Sequence, residues 1–238
     1  MRLLFHVICM SALLLTLPAA SASPLRVAVA ANFATTARSL GSTFEAASGQ
    51  RVEFSVASTG VLVSQILHGA PFDVFLSADA QGPTLLASNE KAVPGSQFCY
   101  AAGKLVLLGG TLQDLQSSDK SLAVANPTTA PYGRAAFEVL ARKPLDVAGK
   151  RRLLRGSNVL QAYQFWTSGG ADLALVAASI AGGNGIEIPG EWHTPIEQHA
   201  TLLSGGGTTR RPPSSSRFLH LALSKPPSSQ RDTVLAPE

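Results

Sequence analysis

The chain has 238 residues, of which 45% are hydrophobic and 14% are charged, and this composition excludes a chain that is disordered throughout. Its formal net charge is +4 and its pI is about 9.3. Before the Pro- and Ser-rich end of the chain, the basic residues are scattered apart from one cluster, Lys150, Arg151 and Arg152, and they form no stripe interleaved with aromatic residues, so we do not expect nucleic-acid binding.

The first 22 residues have the pattern of a secretory signal peptide. Arg2 supplies a positive start, residues 3–17 are mostly apolar, and Ala20-Ser21-Ala22 has the small-x-small form of a cleavage site. The apolar run is shorter than the roughly 20 residues that a membrane-spanning helix needs. We therefore expect a protein that is exported to the periplasm and is soluble after cleavage.

Alternating strands and helices are predicted for the next part of the chain. The continuous hydrophobicity of residues 25–31 is typical of a strand buried in a parallel sheet. A strand–helix alternation of this kind predicts a parallel sheet covered by helices. The predicted elements, in order, are a strand at 25–31, a helix ending at Gly49, a strand at 52–56, a helix opening at Ser58 and stopping at Gly69, a strand at 73–77 and a helix near Pro83.

The same alternation continues less regularly to about residue 177. Strands are predicted at 104–108, 121–125 and 173–177, with helices from 134 to about 143 and from Ser157 onward. From Gly205 to the end, Pro and Ser become frequent. We expect this segment to be loosely held, with a short helix at 217–223 as its only regular element.

Neutral hydrogen-bond donors stand where predicted strands give way to helices: Asn32, then Ser58 and Thr59, then Ser157 and Asn158. Ligands of open α/β sheets bind outside the carboxyl ends of the strands, and helix N-termini present free backbone N–H groups to anions. Several such junctions together would make a cage for a tetrahedral oxyanion. Each residue is also a common helix N-cap, so a purely structural role stays open.

Six segments that contain these junctions resemble, in order and spacing, the periplasmic molybdate-binding proteins that serve molybdate ABC transporters. The most specific is Asp73-Val74-Phe75-Leu76-Ser77-Ala78-Asp79, which is similar to that family's third strand. The resemblance covers about residues 25 to 200. The six segments are 29–33, 57–71, 73–79, 125–133, 157–162 and 170–177.

The resemblance implies an α/β, two-lobed periplasmic binding protein fold, in which each lobe is a mainly parallel sheet flanked by helices and a hinge joins them. The solute-binding domain would span residues 23–204, with lobe I at about 25–100 plus a returning C-terminal segment and lobe II at about 101–190. The implied function is capture of molybdate or tungstate by a monomer and delivery to an inner-membrane ABC permease. Neither catalysis nor a cofactor is implied.

In lobe I, the resemblance assigns ligand contacts to two loops. Asn32 would offer its side chain and its backbone N–H, with Ala31 lining the same loop. Thr59 stands where the family usually has Ser, and its hydroxyl can still donate a hydrogen bond. Ser58 is a further candidate beside it.

In lobe II, the resemblance assigns backbone N–H contacts to Tyr132 and Val159. Molybdenum would enter only as the oxyanion, without direct protein ligands. Ala177 stands where some members carry a Tyr that reaches the anion, so that contact would be absent here.

The identity of the anion stays partly open. A protonated anion such as hydrogen phosphate needs an acceptor carboxylate, and the junctions contain neither Asp nor Glu. Asp79, the nearest candidate, is expected to be structural. Molybdate, tungstate and sulfate are therefore favoured over phosphate, and binding of sulfate or another oxyanion is an alternative, because the sequence does not give the size of the cavity.

Two other classes of function are alternatives. A secreted α/β hydrolase would need a Gly-x-Ser-x-Gly elbow, which the sequence lacks, and a His placed to pair with a nucleophile. A metal site could use Glu191, His193, Glu197 and His199, which alternate along a short stretch. The competing interpretation of that stretch is a solvated loop and an edge strand.

Overall fold

Two five-stranded sheets organise the computed structural model, which describes residues 23–142, 150–204 and 213–223. Each sheet and its helices form one lobe, so the predicted two-lobed α/β fold is confirmed. Each sheet has two parallel and two antiparallel strand pairings, so the prediction of mainly parallel sheets is wrong. The proposed signal peptide lies outside the described residues. Within the described ranges, no helix has both the length and the apolar character needed to cross a membrane.

Lobe I is built around β1, whose residues are almost all buried. Its strands are β1 (Leu25–Ala30), β2 (Val52–Ala57), β3 (Val74–Leu76), β4 (Phe98–Gly103) and β10 (Ile196–Leu202), and its helices are α1 (Ala34–Ser48), α2 (Thr59–Leu67), α3 (Gln81–Ser88) and α7 (Pro213–Leu223). The strand order is β2-β1-β3-β10-β4, with β1 parallel to both β2 and β3. Gly49 ends α1 in the left-handed conformation, at φ 71°.

Lobe II repeats this plan with five strands and three helices. The strands are β5 (Leu105–Leu108), β6 (Leu122–Ala125), β7 (Leu153–Gly156), β8 (Leu173–Ala177) and β9 (Ile186–Glu187), and the helices are α4 (Pro131–Leu140), α5 (Val159–Thr167) and α6 (Ala178–Ala181). The strand order is β7-β6-β8-β5-β9, with β6 parallel to β7 and β8. Helix α4 begins three residues before the predicted start because Pro131 suits a first helical turn.

The chain crosses between the lobes twice. Lys104 alone separates β4 of lobe I from β5 of lobe II, and the chain returns between β9 and β10. The prediction of a solvated loop and edge strand at 191–199 is wrong for the part that forms β10. This strand lies inside the lobe I sheet, paired with β3 on one side and β4 on the other.

The expectation of a loosely held C-terminal segment is wrong for residues 213–223. These residues form α7, which starts at Pro213, four residues earlier than predicted. The Phe218 side chain is fully buried, and its ring centroid lies 5.4 Å from that of Phe44 and 6.5 Å from that of Phe54. The aromatic ring holds the helix against lobe I. The rest of the segment lies outside the described residues.

Candidate functional site

A pocket lies between the lobes, where four helices begin. From lobe I come the 3-10 helix Ala31–Phe33 and helix α2, and from lobe II come α4 and α5. Their starting turns face one another across the cleft. The residues that line the pocket are Ala30, Ala31, Asn32, Ser58, Thr59, Ala78, Ala130, Pro131, Tyr132, Asn158 and Val159.

The pocket lining carries no charged side chain. The backbone N–H groups in the first turn of each helix have no acceptor within their own helix, and they add to the positive end of the helix dipole. Tyr132 is the second residue of α4, and Val159 is the first residue of α5. The pocket therefore offers hydrogen-bond donors and partial positive charge without a cation.

All six predicted contact residues line this one pocket: Asn32, Thr59, Tyr132, Val159, Ala31 and Ser58. Two other residues from the sequence prediction take different positions. Asn158 also lines the pocket, but its side chain caps α5 by accepting a hydrogen bond from the Gln161 N–H at 3.0 Å. Ala177 is fully buried at the end of β8 and is not among the lining residues.

The two neighbouring hydroxyl groups of the α2 loop differ in their partners. Thr59 Oγ1 accepts a hydrogen bond from the Ala78 N–H at 3.1 Å, which ties α2 to the end of β3. Ser58 Oγ is buried and has no hydrogen-bond partner among the residues that the structure describes. A buried hydroxyl without a partner is costly unless a ligand supplies one. Accepting the bond from the Ala78 N–H leaves the hydrogen of the Thr59 hydroxyl able to donate, so both hydroxyl groups can bind a ligand.

Asn32 belongs to a buried hydrogen-bond network behind the pocket. Its Nδ2 donates to Gln198 Oε1 at 2.7 Å, and the Tyr100 hydroxyl donates to the same oxygen at 3.1 Å. Burial raises the pKa of the Tyr132 phenol, and the nearby polar side chain of Asn32 opposes that rise. The sequence did not predict that Gln198 and Tyr100 lie behind the pocket. An uncharged polar side chain within a strand was the only feature that could have indicated it.

Three further contacts join the lobes around the pocket. The Arg134 guanidinium pairs with the Asp79 carboxylate at 2.5 Å. The Gly60 N–H donates to the Thr129 carbonyl at 2.8 Å, and the Ser179 hydroxyl donates to the Asn32 carbonyl at 2.8 Å. The structure is therefore a closed form.

Residues 25–226 match the family model of bacterial extracellular solute-binding proteins. The chain belongs to this family. The solute-binding protein is 42% identical over 203 residues to the molybdate-binding protein ModA of Azotobacter vinelandii, an alignment that covers 79% of this chain and 81% of the relative. It is 38% identical over 203 residues to ModA of Rhodobacter capsulatus, covering 81% and 80% of the two chains.

A solved structure supports the same relationship. The Azotobacter vinelandii periplasmic molybdate-binding protein superposes on this solute-binding protein with a TM-score of 0.79 at 31% sequence identity. The match covers 90% of this chain and 99% of the other. The predicted resemblance to this family is confirmed.

The metal-site hypothesis finds no support in the described part of the solute-binding protein. No group of three or more His, Cys, Asp or Glu residues there could hold a metal ion. Of the four proposed ligands, Glu197 and His199 lie on β10, with Oε2 and Nε2 3.9 Å apart. Asp79, which was expected to be structural, accepts a hydrogen bond from the Gly82 N–H at 2.9 Å and pairs with Arg134.

Proposed function

We propose that the chain captures molybdate in the periplasm and delivers it to an ABC permease. The observation that carries this proposal is the buried, unpartnered Ser58 hydroxyl in an interlobe pocket lined only by uncharged residues. Curated relatives at 42% and 38% identity are molybdate-binding proteins. Tungstate, which has the same tetrahedral shape and charge, is proposed as a second ligand.

The anion would be held by donors from both lobes. From lobe I, we propose the hydroxyl groups of Thr59 and Ser58 and the backbone and side-chain N–H groups of Asn32, with Ala31 lining the same loop. From lobe II, we propose the backbone N–H groups of Tyr132 and Val159. A site that needs both lobes binds tightly only in the closed form, so the anion would stabilise closure.

The uncharged lining also bears on selectivity. A hydrogen phosphate ion would bring an O–H donor into a pocket that has no carboxylate to accept it, and an unsatisfied buried donor is costly. Molybdate, tungstate and sulfate are fully ionised acceptors and avoid this cost. Sulfate is smaller, so it would leave some donors of a molybdate-sized cage at longer distances.

Export and partners follow from the same proposal. Residues 1–22 would act as the signal peptide and be removed, and the mature monomer would present its closed lobes to the permease. We propose no catalysis and no cofactor, since the pocket residues act as hydrogen-bond donors to the oxyanion and molybdenum enters only inside it.

A thermal melt of the mature protein, residues 23–238, tests this function with molybdate, tungstate, sulfate and phosphate in turn. A ligand at 100 times its dissociation constant adds about 2.7 kcal/mol to the free energy of unfolding, so binding raises the melting temperature clearly. We expect a rise with molybdate and tungstate and a smaller rise or none with sulfate. A rise with sulfate alone would favour a sulfate receptor, and a cooperative melt that no anion shifts would contradict the proposal.

A further inference from the structure

Gln198 lies outside the pocket, yet it contacts a pocket residue directly. It is the third residue of β10 and only 1% exposed, and its Oε1 accepts hydrogen bonds from Asn32 Nδ2 at 2.7 Å and from the Tyr100 hydroxyl at 3.1 Å. The pairing of β10 with β4 shifts by a bulge directly after Gln198. Bulges of this kind re-aim side chains and are often found next to functional sites.

The position of Gln198 links it to both connections between the lobes. Strand β10 begins just after the chain returns from lobe II, and Tyr100 lies on β4, which leads into lobe II through Lys104. Asn32 and Tyr132 line the same pocket from opposite lobes. A buried network therefore runs from the two connecting strands, through Gln198, to Asn32 at the boundary between the lobes.

The chemistry of the Gln198 side chain suits this position. Its amide oxygen can accept two hydrogen bonds at once, which fixes the Asn32 carboxamide with its nitrogen directed toward β10. The group is uncharged, so it orients Asn32 without placing a negative charge behind a site for an anion. Networks of this kind are most effective when every member is satisfied.

We propose that Gln198 is a positioning residue for the anion site, which acts through Asn32 to couple anion binding to lobe closure. This inference rests on the proposed function. Gln198 does not touch the anion. It holds the Asn32 side chain in place where the two lobes meet at the pocket, so its loss would shorten the lifetime of the closed, ligand-bound form.

The test is a double-mutant cycle on molybdate binding, with Gln198→Met, Asn32→Ala and the double variant, measured by calorimetry and stopped-flow kinetics. Gln198→Met keeps the length of the side chain and removes the amide. We expect its dissociation constant to rise about tenfold, mainly through faster dissociation. Because Gln198 acts through Asn32, the double variant should bind no more weakly than Asn32→Ala alone.

Thr201→Val is the matched control for general damage to β10. Thr201 is also fully buried on this strand and contacts the Ser96 hydroxyl at 3.0 Å, away from the pocket. Loss of the Thr201 hydroxyl should lower the melting temperature of the free protein and leave its molybdate affinity within about twofold of that of the unmodified protein. A second substitution, Gln198→Leu, replaces Gln198→Met in the cycle if the Met variant does not fold.

The outcomes separate this inference from the proposed function. Unmodified protein that binds no molybdate overturns the function and this inference with it. Unmodified protein that binds molybdate, with Gln198 variants that bind equally well, overturns the inference alone. The inference would also be overturned if the losses of molybdate affinity in Gln198→Met and Asn32→Ala added up in the double variant. A loss of affinity in Thr201→Val as large as that in Gln198→Met would overturn it too.

Discussion

Arg134 Nη2 lies 2.5 Å from Asp79 Oδ2 and joins lobe II to lobe I beside the pocket. The Asp79 carboxylate is held within lobe I by the Gly82 N–H at 2.9 Å and the Ser77 hydroxyl at 3.2 Å. Arg134 lies in the first half of α4, in lobe II. Separation of the lobes would break the ion pair and leave the carboxylate's other contacts intact, so the ion pair stabilises the closed form specifically.

Arg134→Gln should therefore weaken molybdate binding. The Arg134 side chain is 37% exposed, and pairs of this kind contribute about 0.2–1 kcal/mol, which corresponds to a rise of up to about fivefold in the dissociation constant. Calorimetry at low and high salt measures the effect, and the difference between the two proteins should shrink as salt screens the pair. Lys120→Gln, which breaks a 2.7 Å ion pair with Asp114 inside lobe II, is the control and should leave the affinity unchanged.

Ser58→Ala and Thr59→Val should differ in their effect on the free protein. Ser58 Oγ has no partner in the described part of the chain, so its removal should not lower the melting temperature of the free protein but should weaken anion binding about tenfold. Thr59→Val removes the acceptor for the Ala78 N–H, so it should cost the free protein about 1 kcal/mol. Melting curves with and without molybdate measure both effects. Equal melting temperatures of the two free variants would contradict the difference in hydrogen bonding between the Ser58 and Thr59 hydroxyl groups.

Gly60→Ala should weaken anion binding while leaving the free protein as stable or more so. A Cβ at Gly60 would lie 3.1 Å from the Thr129 carbonyl oxygen and Cα in the closed form, which is closer than ordinary van der Waals contact. Ala favours the α2 helix more than Gly by roughly 1 kcal/mol, so the open form does not suffer. The dissociation constant should rise about threefold to tenfold, as expected for a close contact that must relax by a few tenths of an ångström. Unchanged affinity would mean that the lobes do not approach at Gly60 in the bound form.

Phe218→Ala should destabilise lobe I without affecting the pocket. The substitution empties a fully buried site between Phe44 and Phe54, and such truncations cost about 3–5 kcal/mol. Urea unfolding measures the loss, with Leu85→Ala, which removes a side chain from a residue that is 48% exposed, as the control. A Phe218 variant as stable as the control would show that α7 is not part of the lobe I core.

Much of lobe I could be predicted from the sequence because its signals are local. The buried strand β1, the Gly49 helix end and the start of α2 each follow from neighbouring residues. The pocket could be predicted as well, because the ends of parallel strands meet at one edge of a sheet. The junctions supplied Asn32, Ser58 and Thr59, and the family resemblance implied Ala31, Tyr132 and Val159; all six line the pocket.

The features that escaped prediction depend on contacts between distant parts of the chain. Strand β10 pairs with β3, more than 100 residues earlier, and nothing in its own alternation of polar and apolar residues reveals that central position. The partner of the Thr59 hydroxyl and the lack of one at Ser58 depend on where β3 ends in space. The burial of Phe218 likewise depends on a groove formed by α1 and β2.

The most direct test of the central claim is a crystal structure of the mature protein grown with molybdate, with X-ray data collected across the molybdenum absorption edge. Molybdenum scatters anomalously, so the data locate the ion independently of its shape. We expect one strong anomalous peak per molecule, in the pocket between the Ser58 hydroxyl and the Val159 N–H, with the lobes closed. A peak elsewhere, or an empty pocket at saturating molybdate, would contradict the account.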